Sequence, residues 1–261
     1  TFAREIEVTP DNAEPTSIVN PTRGGPTNEN ITVNIQFDDE GGSGFDSQRY
    51  AITDSITPPT SGWSTWSSSK TRTVTISQEG KFYLHIEAKD KAGNLHKRTM
   101  GEYHIDKTPP VLEITQNPTT PTNKNVVITV KANDTGSGIK EVELSDGRKI
   151  TQTETTITVE ENGVYTFKTI DNAGNETTKS ITVSNIDKVP PVITIEPYET
   201  NWTNKNITVK AKVDKGTLNK TSHTFTENGS FEFVATDAAG NVAKKTVTIT
   251  NIDKIPPSKP K

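Results

Sequence analysis

Aspartate is the residue through which this chain would do chemistry, because its copies return at fixed places. The Asp of a D-x-A-G-N stretch lies sixteen residues before the Asp of an I-D-K stretch in three places: Asp90 and Asp106, Asp171 and Asp187, Asp237 and Asp253. Each copy has a further aspartate in an earlier loop: Asp38 or Asp39 in the first, Asp134 in the second, Asp214 in the third. Asp11 stands four residues before Pro15, as the linker aspartates stand four before the second proline of I-D-K-x-P-P, so it takes the linker position ahead of the first copy. The sets are then Asp11, Asp39 and Asp90; Asp106, Asp134 and Asp171; and Asp187, Asp214 and Asp237. In a sandwich fold the loops carrying these residues share the pole where the chain enters. Carboxylates gathered there suit calcium, which takes six to eight oxygen ligands, with Asn175 and backbone carbonyls adding oxygens. The competing reading makes each Asp an ordinary turn or cap residue. Lys107, Lys188 and Lys254, each next to a linker aspartate, would then supply the neutralising charge.

Other chemistries find less support. Asp134–Gly138 spells D-T-G-S-G, the string of aspartic proteases, but that reaction needs two carboxylates sharing a proton. The third copy lacks the loop altogether, so a glycine-rich turn is the better reading. G-G-S-G-F around Ser43 departs from the nucleophile-elbow pattern at Phe45. His85, His96 and His104 have no i, i+4 helical spacing, no H-E-x-x-H occurs, and His85 is expected to point outward from its strand. The chain is therefore expected not to be an enzyme. Trp63 and Trp66, in the insertion T-P-P-T-S-G-W-S-T-W-S-S of the first copy, offer faces that stack on sugar rings. Alternatively they fold inward and plug one end of a sandwich, as large aromatics tend to do. Trp202, which replaces Pro121, is expected to be such a plug.

The elements that must position these residues follow from composition and repeats. Of 261 residues only 29% are hydrophobic, which suits several thin cores rather than one thick one. Net charge is −4 with both signs mixed, and no basic block offers a footprint for nucleic acid. No apolar run is long enough for a membrane helix, and no sorting signal is visible. Cysteine is absent, which removes disulfides, zinc–thiolate sites and thiol catalysis together. P-T-N-E-N-I-T-V, P-T-N-K-N-V-V-I and W-T-N-K-N-I-T-V are three copies of one strand entry, and repeats of this length mean a repeated structural unit. Boundaries fall at the Pro-Pro pairs: 1–107, with the end of a preceding repeat at 1–14, then 108–188 and 189–261. The segment from the first Asn of T-N-x-N to the Gly of the late strand shrinks from 52 to 40 to 25 residues, as if central strands were added or dropped. Apolar residues alternate in G-V-Y-T-F-K-T-I-D and its relatives, the mark of half-buried strands. The second copy reads as seven short strands, an immunoglobulin-type β-sandwich. Two prolines make each linker semi-rigid.

The D-x-A-G-N turn, the I-D-K-x-P-P linker and the D-T-G-S-G-I and G-G-S-G-F loops resemble tandem bacterial immunoglobulin-like repeats of Gram-positive surface proteins and secreted enzymes. The resemblance covers about 15–257. It implies an all-β chain of three tandem immunoglobulin-like β-sandwich domains in an extended array. It further implies an extracellular place, secreted or displayed on a cell wall, and a non-catalytic role as a spacer or stalk in an adhesin-like protein. The partners are then neighbouring repeats of the same chain, with no nucleic acid and no membrane insertion. Two other roles stay open: a module binding a carbohydrate or host ligand at Trp63 and Trp66, and an accessory segment of a larger secreted hydrolase.

Overall fold

A computed structural model describes residues 10–258, and the strand expected within 1–9 lies outside them. Among the described residues there are strands and no helix, hence no helix long and apolar enough to cross a membrane. Two compact units divide the chain: Thr1–Glu113 with Lys131–Thr153 and Phe167–Lys179, and Ile114–Val130 with Glu154–Thr166 and Ser180–Lys261.

In the first unit, β1 (Thr16–Asn20), β2 (Gly24–Thr27), β3 (Ile31–Asp38), β4 (Phe45–Thr53), β5 (Thr71–Ile76), β6 (Gly80–Asp90) and β7 (Leu95–Ile105) form two sheets, ordered β1-β3-β5 and β2-β7-β6-β4. Successive side chains of a strand point to opposite faces, so period-two apolar residues make one buried face. In β3 that face is Ile31, Val33, Ile35 and Phe37. It packs on Leu84, Ile86 and Ala88 of β6 and Met100, Tyr103 and Ile105 of β7. Pro26 sits in β2, an edge strand that runs parallel to β7, where a missing N–H costs little.

Residues 111–183 add β8 (Val111–Asn117), β9 (Val126–Asn133), β10 (Ile139–Glu143), β11 (Lys149–Ile150), β12 (Glu154–Val159), β13 (Gly163–Asp171) and β14 (Glu176–Val183). Their sheets are ordered β12-β9-β8 and β11-β10-β13-β14. Seven strands stand where alternation expects seven, the last of them, β14, ending at Val183. The Tyr165 hydroxyl donates to the Glu161 carbonyl at 2.8 Å, closing the corner ahead of β13.

In the second unit β15 (Ile193–Ile195), β16 (Ile207–Val213), β17 (Thr217–Leu218), β18 (Ser222–Phe225), β19 (Gly229–Thr236) and β20 (Val242–Ile249) form sheets β15-β16-β18 and β17-β19-β20. Their core holds Ile207, Val209, Phe225, Phe233, Val247 and Ile249. Phe231 replaces the corner tyrosine, and the His223 ring stacks on it at 4.0 Å.

One plan therefore recurs. A central strand (β3, β9, β16) has a neighbour on each side, and a late hairpin (β6–β7, β13–β14, β19–β20) builds the other sheet. The T-N-x-N entry bridges in parallel to the chain just past the last strand, at Thr122–Ile186 and Thr203–Ile252, much as β2 pairs in parallel with β7. This is the strand order of immunoglobulin-like sandwiches. The variable centre is only partly a matter of strands. The third copy has the two-residue β17 where the second has β10 and β11, but the long insertion of the first copy, 54–70, is irregular chain tied to β4 at the Gln48–Ser67 bridge and by the Ser64 N–H on the Tyr50 carbonyl.

Candidate cation sites at the linker aspartates

The D-x-A-G-N turn makes one half of each site. Its Gly takes a positive φ, 98° at Gly93, 95° at Gly174 and 86° at Gly240, a region open mainly to glycine. The main chain then doubles back, so the N–H of the last Asn donates to Oδ1 of the first Asp: Asn94 to Asp90, Asn175 to Asp171 and Asn241 to Asp237, each at 2.8 Å. The amide side chain of the same Asn donates to Oδ2 of that Asp. It also donates to the carbonyl of the incoming linker aspartate, Asp11 at 3.0 Å, Asp106 at 2.9 Å and Asp187 at 2.8 Å. One asparagine thus orients the hairpin carboxylate and pins the linker.

The early loop makes the other half. In the second copy Ser137 N–H donates to Asp106 Oδ2 at 2.6 Å, and Gly138 N–H to Asp134 Oδ2 at 2.6 Å. In the first copy Ser43 N–H donates to Asp11 Oδ2 at 2.5 Å, and Gly44 N–H to Asp39 Oδ2 at 2.7 Å. The serine hydroxyls accept from the hairpin turn, at Ala92 N and Ala173 N. Asp38 is engaged elsewhere, paired with Lys70 at 3.0 Å, which leaves Asp39 as the member of the set.

Asp11, Asp39 and Asp90 converge, as do Asp106, Asp134 and Asp171, each offering an oxygen within 4.8 Å of the others. Asp171 is 0% exposed and Asp106 1%. Burial pushes the Asp106 carboxyl up, but the N–H donors of Ser137 and Thr108 outweigh it and hold the group below its ordinary range. Asp11 is held low by the N–H groups of Ser43 and Ala13. Among the described residues no lysine or arginine forms an ion pair with any of the six. The linker lysines do not neutralise them. Lys107, Lys188 and Lys254 reach instead to Asn30, Asn125 and Asn206, the second Asn of each T-N-x-N, at 2.9, 3.2 and 2.8 Å.

Calcium fits this donor set. Ligands at about 2.3–2.6 Å from one ion lie at most about 5 Å apart, and a carboxylate oxygen that accepts one N–H keeps a second lone pair. Three carboxylates would supply part of the coordination, and carbonyls or water the rest.

The third set does not converge. Asp214 turns its Oδ1 to the N–H of Val192 at 2.7 Å and of Lys215 at 2.8 Å. Lys215 Nζ lies 2.5 Å from Asp187 Oδ2 and 3.1 Å from Asp237 Oδ2. The reason is local: D-K-G-T replaces D-T-G-S-G, so the loop has no serine N–H to give and a lysine side chain enters instead. The expectation that Asp187, Asp214 and Asp237 form a metal site like the other two is corrected on this point.

The aromatic residues also differ from expectation. Trp63 and Trp66 do not plug a sandwich end. The insertion folds back over the outer face of β4 and β6, where the Arg49 guanidinium lies 4.7 Å from the ring centre of each tryptophan. The Trp63 indole N–H donates to the Pro59 carbonyl at 2.9 Å, Lys89 Nζ stands 3.9 Å from the Trp66 ring, and Trp66 remains 36% exposed. This cover buries His85, which alternation had placed outward. It is 1% exposed, between the Thr53 and Thr99 hydroxyls and the Ser55 carbonyl, and burial holds its pKa low. A cleft of about 100 Å³ lies beside Trp63, His85, Glu87 and Lys97. Trp202 is no plug either, being 75% exposed.

Comparison with known proteins adds the following. The model of a domain of unknown function, DUF7743, matches residues 104–221. Among solved structures, a 1.5-MDa bacterial ice-binding adhesin is 14% identical with a TM-score of 0.39, over 94% of this chain and 98% of that one. A Ca²⁺-stabilized adhesin with which an Antarctic bacterium binds ice is 15% identical with a TM-score of 0.40, over 94% and 74%. The fibronectin(III)-like modules of Clostridium thermocellum CbhA are 15% identical with a TM-score of 0.34, over 66% and 95%. No curated protein matches the sequence.

Proposed function

We propose that this chain is a non-catalytic spacer of three tandem immunoglobulin-like repeats, 1–107, 108–188 and 189–261, in a secreted or surface-displayed bacterial protein, and that calcium fastens its first two linkers. One observation carries the reading. Asp11, Asp106 and Asp187 are each built into the loops of the repeat that follows, through both carboxylate and carbonyl, as Asp106 is by Ser137 and Asn175. A linker held at both ends resists bending, and a divalent cation on the buried carboxylates would hold it further. Polar pole residues are thereby used for fastening rather than for turnover. Asp134 is committed to Gly138 N–H and faces two further carboxylates, not one partner sharing a proton.

The test is a thermal melt in millimolar calcium against chelator. A ligand that binds only the folded state raises the melting temperature by mass action. The expected outcome is a rise that Asp171→Ala reduces and the double variant Asp90→Ala/Asp171→Ala abolishes. An unchanged melt refutes the calcium component.

The binding-module alternative is favoured by the partial exposure of Trp66 alone. Arg49 and Lys89 already engage the two rings, which leaves little free aromatic face for a sugar. Saturable binding on a glycan panel, lost in Trp63→Ala/Trp66→Ala, would overturn the pure spacer.

A further inference from the structure

The three aspartate sets share a frame and differ in what they enclose. Hairpin Asp, turn Asn and linker carbonyl keep the same hydrogen bonds in all three. In the first two copies the linker carboxylate accepts from a serine N–H, at Asp11 Oδ2 and Asp106 Oδ2, and a third carboxylate closes the set. In the third copy the corresponding oxygen, Asp187 Oδ2, accepts from Lys215 Nζ, which also donates to the Val189 carbonyl at 2.6 Å and faces Asp237 Oδ2 at 3.1 Å. The third carboxylate, Asp214, has left the set. An ammonium therefore sits on two of the carboxylate positions that in the other copies meet a third carboxylate and no cationic side chain.

We propose that Lys215 is the resident cation of the third linker, so that this linker is fastened without metal and the chain takes two divalent ions rather than three. The proposal rests on the calcium reading for the first two sets. Two features make this assignment specific. Asp237 has only 3% of its side chain exposed, and a charged carboxylate so buried needs a counter-charge. Lys254, the linker lysine next along, is committed to Asn206 and the Thr226 carbonyl and does not provide one. Lys215 is also held on three sides by acceptors, as a fixed ion would be, rather than swinging free.

The experiment uses the whole chain, labelled for amide NMR, with calcium chloride as the probe and Lys215→Met as the variant that keeps the stem and removes the charge. With calcium, the amides of Asp11, Asp90, Asp106 and Asp171 should shift, while those of Asp187, Asp237 and Asn241 stay in place. In chelator, Lys215→Met should lower the folded-to-unfolded ratio of the third repeat about ten-fold, since the pair is part-buried. Calcium shifts at Asp187 and Asp237 in the wild type would overturn the proposal, and so would a Lys215→Met chain as stable as the wild type. Absence of shifts at all three sets would overturn the calcium reading and the count of two ions with it. The stability of Lys215→Met in chelator, measured without metal, would still decide the role of Lys215.

Discussion

Gly136→Ala tests the linker seat with a single methyl group. Gly136 has no positive φ, so its backbone accepts alanine, and only space is at issue. A Cβ there would stand 2.4 Å from Asp106 Cγ and Oδ2 and 2.5 Å from Oδ1, about 1 Å inside ordinary contact. Asp106 has nowhere to retreat. Its carboxylate is fixed by the N–H groups of Ser137 at 2.6 Å and Thr108 at 3.1 Å, its own N–H donates to the Thr27 carbonyl at 2.9 Å, and its carbonyl receives Asn175. Relieving the overlap means giving up at least the two carboxylate bonds. Hydrogen bonds to a charged acceptor are worth roughly 1.5–3 kcal/mol each, so the expected cost is about 3 kcal/mol. In urea, with a slope of about 1–3 kcal/mol/M, the midpoint should fall by about 1–3 M. The assay is a urea titration read on the amide resonances of Ala173 and Asn175, because a multi-repeat chain does not melt as one two-state unit. Gly163→Ala is the control, since its Cβ would meet nothing closer than 3.8 Å. A Gly136→Ala midpoint equal to wild type, or a Gly163→Ala loss as large, would refute the reasoning.

Further expectations concern other parts of the molecule. Asn175→Ala removes donors to Asp171 and to the Asp106 carbonyl inside a buried site, and hydrogen exchange at the turn should show a loss of about 2–4 kcal/mol. Arg49→Ala takes away the cation shared by Trp63 and Trp66 and leaves the buried Glu87 short of its partner at 2.6 Å. Limited proteolysis should then cut within 54–70, and tryptophan fluorescence should change, with an expected cost of about 1–3 kcal/mol. Burial raises the Asp237 carboxyl, but the donors of Asn241 and Lys215 outweigh it and bring its pKa to about 2. A folded pKa below the unfolded value of 3.8 gives stability that is present above that value and lost as pH falls toward 2. The urea midpoint of the third repeat should therefore drop between about pH 4 and pH 2, and less so in Lys215→Met.

Much of the local structure is legible in the chain. The hairpin turns announce themselves because Gly93, Gly174 and Gly240 meet a backbone demand that only glycine satisfies easily, and the Asp before each is the residue best suited to cap it. Strand positions follow from period-two burial, as in Ile31, Val33, Ile35 and Phe37. The grouping of Asp106, Asp134 and Asp171 also came from topology, since linker, early loop and late hairpin share a pole in any sandwich of this order. What misled were residues whose surroundings lie far away in sequence. His85 alternates outward on β6, yet an irregular insertion beginning about thirty residues earlier covers it, and no local pattern records that cover.

By itself, then, the sequence determined the repeat, the turns, most of the strands and two of the three aspartate groupings, because each depends on backbone geometry and on spacing along the chain. Only the tertiary structure decided charge. It sent Lys107, Lys188 and Lys254 to asparagines, left two aspartate sets without a lysine, and brought Lys215 onto the third. A lysine side chain reaches several ångströms in almost any direction, and which carboxylate it neutralises is settled by the fold around it rather than by its place in the chain.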